Sequence, residues 1–92
     1  MAGTLIANKN RVKRIREAVL RYCEKILGDS DPIIEITIDE ETDKFVVTVA
    51  SSKFANMPYS TRLNSILDFL FSDPQNSKDD LFEISRIMPE SE

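Results

Sequence analysis

Apolar residues recur every three or four positions between residues 10 and 27, at Val12, Ile15, Val19, Tyr22 and Ile26. That stripe predicts an amphipathic helix, with Asn8 or Asn10 as its cap and Gly28 as its stop. Residues 1–8 show no such period, and residues 1–9 are expected to form a flexible N-terminal tail. After the turn GDSDP (28–32) the pattern switches to alternation. Ile34, Ile36 and Ile38 mark a strand over residues 33–39, and FVVTVAS (45–51) is apolar on both faces. The acidic EETD between them predicts a hairpin turn, and the second run predicts a central strand covered by helices on one side. Following a loop at 54–59, Leu63, Ile66, Leu67, Leu70 and Phe71 predict a second helix. Ser60 or Thr61 is its expected cap, and it should close by Ser72 because Pro74 follows. DPQNSKDD (73–80) reads as a polar connector with room for a short helical turn, residues 81–88 as a third strand, and residues 90–92 as an acidic tail. The order is α-β-β-α-β. This is an α/β fold of the two-layer α+β kind, with helices on one face of a three-stranded mixed sheet and a single domain over residues 10–89.

Composition narrows the class. Ninety-two residues, 41% hydrophobic and 30% charged, make one small globular domain with a modest core. No apolar run approaches a membrane span, and no signal peptide opens the chain. The single Cys23 excludes an internal disulfide and a cysteine zinc cluster, and reads as a small half-buried apolar residue in a reducing compartment. A cytoplasmic location is expected. Charge is unevenly placed. Residues 9–25 carry seven basic side chains against two acidic ones, while the remainder carries five against fourteen. This basic helix reads in three ways: as a solvated outer face balancing an acidic sheet, as a patch for nucleic acid or an acidic partner, or as an organelle-targeting segment.

The missing residue types bear on chemistry. With no histidine, a serine nucleophile lacks its usual base. With one cysteine, no Cys/His zinc site forms. Gly3 and Gly28 alone cannot build a phosphate loop. DEETD (39–43) lacks the spacing of a calcium loop and reads as a solvated turn. These absences argue against an enzyme. Binding residues remain, in the polar loop and helix start that carry Lys53, Asn56, Tyr59, Arg62 and Asn64. Phe54 is expected to plug the core at the strand end, and Arg62 to be a first-turn surface residue.

FVVTVASSKF (45–54) resembles the strand of the BolA-like family, whose pattern is roughly F-x-V-x-V-V-S-x-x-F. Asn56 stands where that family usually has glycine. Arg62 falls where its R-H-R segment opens a helix, with Leu63 and Asn64 replacing the histidine and second arginine, and Ile66 keeps an apolar position. LFEISRIMPES (81–91) is similar to the family's last strand and the Thr-Pro-Glu segment after it. The resemblance covers roughly residues 11–91, without gaps over 45–66. It implies a class II KH-like domain without enzymatic activity. Such proteins pair with monothiol glutaredoxins, share a [2Fe-2S] cluster and act in iron-sulfur trafficking or iron homeostasis; bacterial members are also DNA-binding regulators. The family's cluster ligands are a histidine before the last strand and a histidine or cysteine in the first hairpin. Those regions read SKDD and EETD here, so the chain is expected to bind no cofactor alone, and a shared [2Fe-2S] cluster is implied by the resemblance only.

Two functions follow as expectations. One is a non-enzymatic BolA-like adaptor or regulator that docks a protein, a monothiol glutaredoxin by resemblance, through Lys53, Asn56, Tyr59, Arg62, Asn64 and the last strand. The alternative is a KH-like nucleic-acid-binding or transcription-regulatory domain using Lys13, Arg14, Arg21, Lys53 and Arg62. Whether these basic groups share one face separates the two. Open sheet edges leave a weak homodimer beside the monomer.

Overall fold

The computed structural model describes residues 2–91, with side chains from Lys9 onward. Helix α1 spans Ala2–Tyr22 and continues as a single wider π turn, Cys23–Leu27. Strands β1 (Ile33–Asp39) and β2 (Lys44–Ala50) follow, then a 3₁₀ turn (Ser52–Phe54), helix α2 (Tyr59–Ser72), a short helix α3 (Lys78–Phe82) and strand β3 (Ile84–Glu90). The sheet order is β1-β2-β3, antiparallel for the first pair and parallel for the second. No helix among the described residues is long and apolar enough to cross a membrane.

The alternation of β2 directs Phe45, Val47 and Val49 to one face, where they are buried against Ile15, Val19 and Tyr22 of α1 and Ile66 and Leu70 of α2. Ile34 and Ile36 of β1 and Ile87 of β3 join the same layer. Both long helices therefore cover one face of a mixed sheet whose centre is β2, as the patterning predicts. Tyr22 packs edge-on to Phe69 at 5.7 Å and donates a hydrogen bond to Ser65 Oγ at 2.9 Å, which joins α1 to α2. Phe54 is fully buried at the end of β2.

Several local expectations are corrected. The helix begins at Ala2 rather than near Asn10, so Asn8 and Asn10 lie inside it and residues 2–9 are helical rather than an irregular tail. Ala2, Leu5 and Ala7 favour helix and no proline interrupts them, so an amphipathic stripe is not required there. The stripe itself breaks at the π turn. An extra residue in that turn rotates the face, so Cys23 is fully buried and Ile26 is 54% exposed. Gly28 ends the helix as predicted, at φ 69°, with its N–H and that of Asp29 both directed at the Cys23 carbonyl. Helix α2 starts after Pro58, whose fixed φ and missing N–H suit that place, and neither Ser60 nor Thr61 caps it. The connector contains α3, so Leu81 and Phe82 are helical and β3 starts at Ile84. Pro89 and Glu90 pair with Val49 and Ala50, which extends the strand beyond Met88 and moves Glu90 from the tail into the sheet; Glu92 lies outside the described residues.

The two free edges of the sheet are partly closed. Phe45 N–H bonds to Glu83 and Ser51 N–H to Glu90, so the odd-numbered residues of β2 face β3 and the even-numbered ones face β1. By alternation Ile34, Ile36 and Ile38 turn their backbone groups to the β1 edge, and Ile87 and Pro89 turn theirs to the β3 edge. Arg16 donates to the Ile34 carbonyl at 2.8 Å. At the other edge Pro89 has no N–H, and its carbonyl accepts from Arg62 Nη1 at 3.3 Å.

Candidate functional site

The arginines of α1 turn inward to the fold. Arg14 grips Asp80 with two hydrogen bonds, 2.6 and 2.9 Å, and Arg11 adds a third at 3.0 Å. Asp80 is 4% exposed, and this guanidinium pair holds its carboxyl below the usual carboxylate range, with the Arg14 hydrogen bond as the leading cause. Arg21 bonds Asp73 at 3.2 Å and also Asn76, whose side-chain amide reaches the Leu70 carbonyl. Asp73 is likewise held low, chiefly by the Gln75 backbone N–H. The helix thus pins the connector between α2 and β3 at both ends. A polar cleft of about 280 Å³ lies between Arg14, Arg21, Asn76 and Asp80, walled by groups that already bond one another. The basic helix is therefore not simply a solvated outer face.

Arg62 is half-buried rather than a plain surface residue. Its guanidinium lies 5.6 Å from the Phe54 ring centroid, donates to the Met57 carbonyl at 2.9 Å and closes on Pro89. It ties the loop after β2 to the end of β3. Lys53 and Asn56 are exposed, with Lys53 near enough to Asp29 to help lower its carboxyl, after the Ser51 hydroxyl and the Asp31 backbone N–H. Asn64 lines a shallow depression with Ile26, Thr61, Asp68 and Phe69. Tyr59 instead faces β3. The five expected partner-binding residues are therefore divided among separate places. Of the five expected phosphate contacts, Arg14, Arg21 and Arg62 bond groups within the protein, and Lys13, Lys53 and also Arg14 are exposed.

The structure brings together a different set. Tyr59, Leu63, Leu67 and Phe71 form one ridge along α2 at four-residue spacing, facing Phe82 of α3 and Ile84, Ser85, Arg86 and Ile87 of β3. They enclose an apolar groove of about 560 Å³. Tyr59, Phe71 and Phe82 are 53%, 41% and 60% exposed, and no other aromatic among the described residues is similarly open. Phe71 and Phe82 meet at 5.9 Å at one end. Patterning assigned Leu63, Leu67 and Phe71 to the core; Leu63 and Leu67 do pack against it, partly buried, while Phe71 stands open. The legible signal was width: α2 carries this ridge beside Ile66 and Leu70, more apolar surface than one helix face buries on a narrow sheet.

Cys23 is fully buried, more than the half-buried place expected, and burial pushes its thiol up to about 11. No group of three or more Cys, Asp or Glu residues is placed to hold a metal ion among the described residues. The positions that the BolA-like resemblance assigns to cluster ligands do not fit an iron-sulfur cluster. The hairpin offers exposed hard oxygen donors, and the Asp80 carboxylate is occupied by two arginines. Comparison with protein-family models, curated proteins and solved structures gives no match.

Proposed function

We propose that this chain is a non-enzymatic adaptor that docks a protein partner in the groove between α2 and β3. The observation that carries the reading is the convergence of the three open aromatics on one apolar channel, the pattern of a binding surface rather than of scattered surface residues. The BolA-like resemblance supports the same class. The α-β-β-α-α-β order with β2 central is compatible with the KH-like domain that the resemblance implies, and Phe54 under Arg62 links two of the positions on which the resemblance rests. The resemblance nominates a monothiol glutaredoxin as partner. The groove also includes the last strand and Tyr59, two parts of the surface expected for that partner.

The nucleic-acid reading has less support, since the arginines it needs are held by Asp80, Asp73 and backbone carbonyls. An NMR titration of the labelled full chain compares the two. Shifts at Tyr59, Phe71 and Ile84–Glu90 with a monothiol glutaredoxin support the adaptor. Salt-sensitive shifts along residues 9–25 with a single-stranded oligonucleotide would replace it.

A further inference from the structure

We infer that the free edge of β1 pairs with the β1 edge of a second copy of this chain, antiparallel about a two-fold axis at Ile36. The pairing joins two mixed sheets into one continuous sheet, with the helices of both copies on the same side. This edge lies across the sheet from β3, so the inference stands apart from the α2–β3 groove. Three observations carry it.

The first is the contrast between the two edges. On β3, Pro89 has no N–H, its carbonyl is taken by Arg62, and the ladder shifts register between Phe45 and Val46. Such irregularity blunts an edge. On β1 all seven residues pair with β2 in unbroken register, so Ile34, Ile36 and Ile38 present a regular row of outward groups. Among the described residues one side chain covers that row, Arg16 on the Ile34 carbonyl. This carbonyl keeps a second lone pair, and the backbone groups of Ile36 and Ile38 stay open. Residues 33–39 hold no proline, lysine or arginine, the usual guards of a lone edge.

The second is apolar exposure on the same strand. Ile34 and Ile36 pack partly against the core, whereas Ile38, on the same helix-covered face, is 51% exposed. A two-fold at Ile36 sets Ile38 of each copy beside Ile34 of the other, and the two Ile36 side chains side by side. The isoleucines of both copies then form one apolar row across the junction.

The third is register. A two-fold at Glu35 sets the two Glu35 side chains directly opposite, and one at Thr37 sets Glu35 opposite Asp39. Both also pair fewer residues. The two-fold at Ile36 pairs the whole strand, with Glu35 opposite Thr37 and Asp39 opposite Ile33, so no two carboxylates meet directly. The strand therefore matches itself in one register, which an unrelated extended peptide has no reason to do. The two Glu35 groups remain diagonal neighbours and each chain carries a net charge of −4, so salt strengthens the pairing. A contact along one short strand also falls below the about 1,200 Å² of stable complexes, which makes the dimer weak.

Sedimentation equilibrium of the full chain from micromolar to millimolar concentration tests this, together with disulfide trapping. A monomer–dimer equilibrium should appear and tighten with added salt. The N–H groups of Ile36 and Ile38 should exchange more slowly as concentration rises, and those of Ile84 and Ile87 should not change. Chains carrying Glu35→Cys should link under mild oxidation to chains carrying Thr37→Cys, with neither linking to itself. Cys23 is fully buried and does not compete. Ile38→Lys should weaken the dimer by about tenfold or more, with an unchanged melting curve because that side chain is already half-exposed. A chain that stays monomeric throughout, or Glu35→Cys chains that link to themselves, would overturn the inference. So would self-association that shifts Tyr59, Phe71 and Phe82 instead, which would place the second copy in the α2–β3 groove. Slowed exchange at Ile36 and Ile38 only on adding another protein would give the edge to a foreign strand and end the self-pairing.

Discussion

The arginine face of α1 and the apolar wall of α2 have exchanged the roles their composition suggests. A run of arginines normally marks a surface for anionic partners, and a leucine-phenylalanine stripe normally marks a core. Here Arg11 and Arg14 close on Asp80, Arg21 on Asp73, and Arg16 and Arg62 on backbone carbonyls at opposite sheet edges. Meanwhile Tyr59, Phe71 and Phe82 stay open. The difference teaches that a charge is available for binding only when nothing nearby already satisfies it. An apolar side chain becomes a binding group when the fold provides no wall to cover it.

Perturbing each side separates them. Phe54→Ala removes a fully buried ring and should cost about 3–5 kcal/mol in a denaturant melt; a near-native midpoint would mean that the loop and β3 are not held through this ring. Asp80→Ala leaves two guanidinium groups without their carboxylate. It should cost about 1–2 kcal/mol, less than a fully enclosed pair because both arginines are partly solvated. The pH dependence has a definite sign. Asp80 and Asp73 are held below their unfolded values, so their contribution is complete above about pH 4 and is lost as pH falls through the folded values. The gap in stability between wild type and Asp80→Ala should therefore narrow in acid, and a gap independent of pH would remove the ion pair from the explanation. Arg62→Glu should lower stability by about 1 kcal/mol or more, by losing the contact with Phe54 and placing a carboxylate near the Met57 and Pro89 carbonyls. An unchanged melt would return Arg62 to the surface. On the apolar side Phe82→Ser should change stability by less than about 0.5 kcal/mol while reducing partner binding. A large loss of stability would make the groove part of the core.

Much of the architecture was legible because local periodicity states it. The stripe Val12–Ile15–Val19–Tyr22, the alternation in β1 and β2, and the Gly28 stop each constrain a few neighbouring residues, and each appears in the structure. What was not legible depends on distant partners or on a local defect. Asp80 is buried by two arginines 66 and 69 positions away, which no spacing rule connects. Ile26 left the stripe because the helix widens by one residue. Helix α3 is too short to show a period, so Leu81 and Phe82 read as strand. The groove was hidden because patterning says that a residue is apolar, not whether the opposite wall is complete.

The sheet order also bears on how the molecule assembles. The β1–β2 pair joins across the four-residue turn 40–43, whereas the parallel β2–β3 pair joins Phe45 to Ile84 across all of α2 and α3. The first closure is quick and the second carries the entropy of a long loop. A chain with α1 and the hairpin formed still exposes one side of Val47 and Val49 until Ile87 and Pro89 arrive. The slow step of folding should therefore be the docking of β3, and substitutions in that strand should alter the folding rate more than equally destabilising ones in the hairpin.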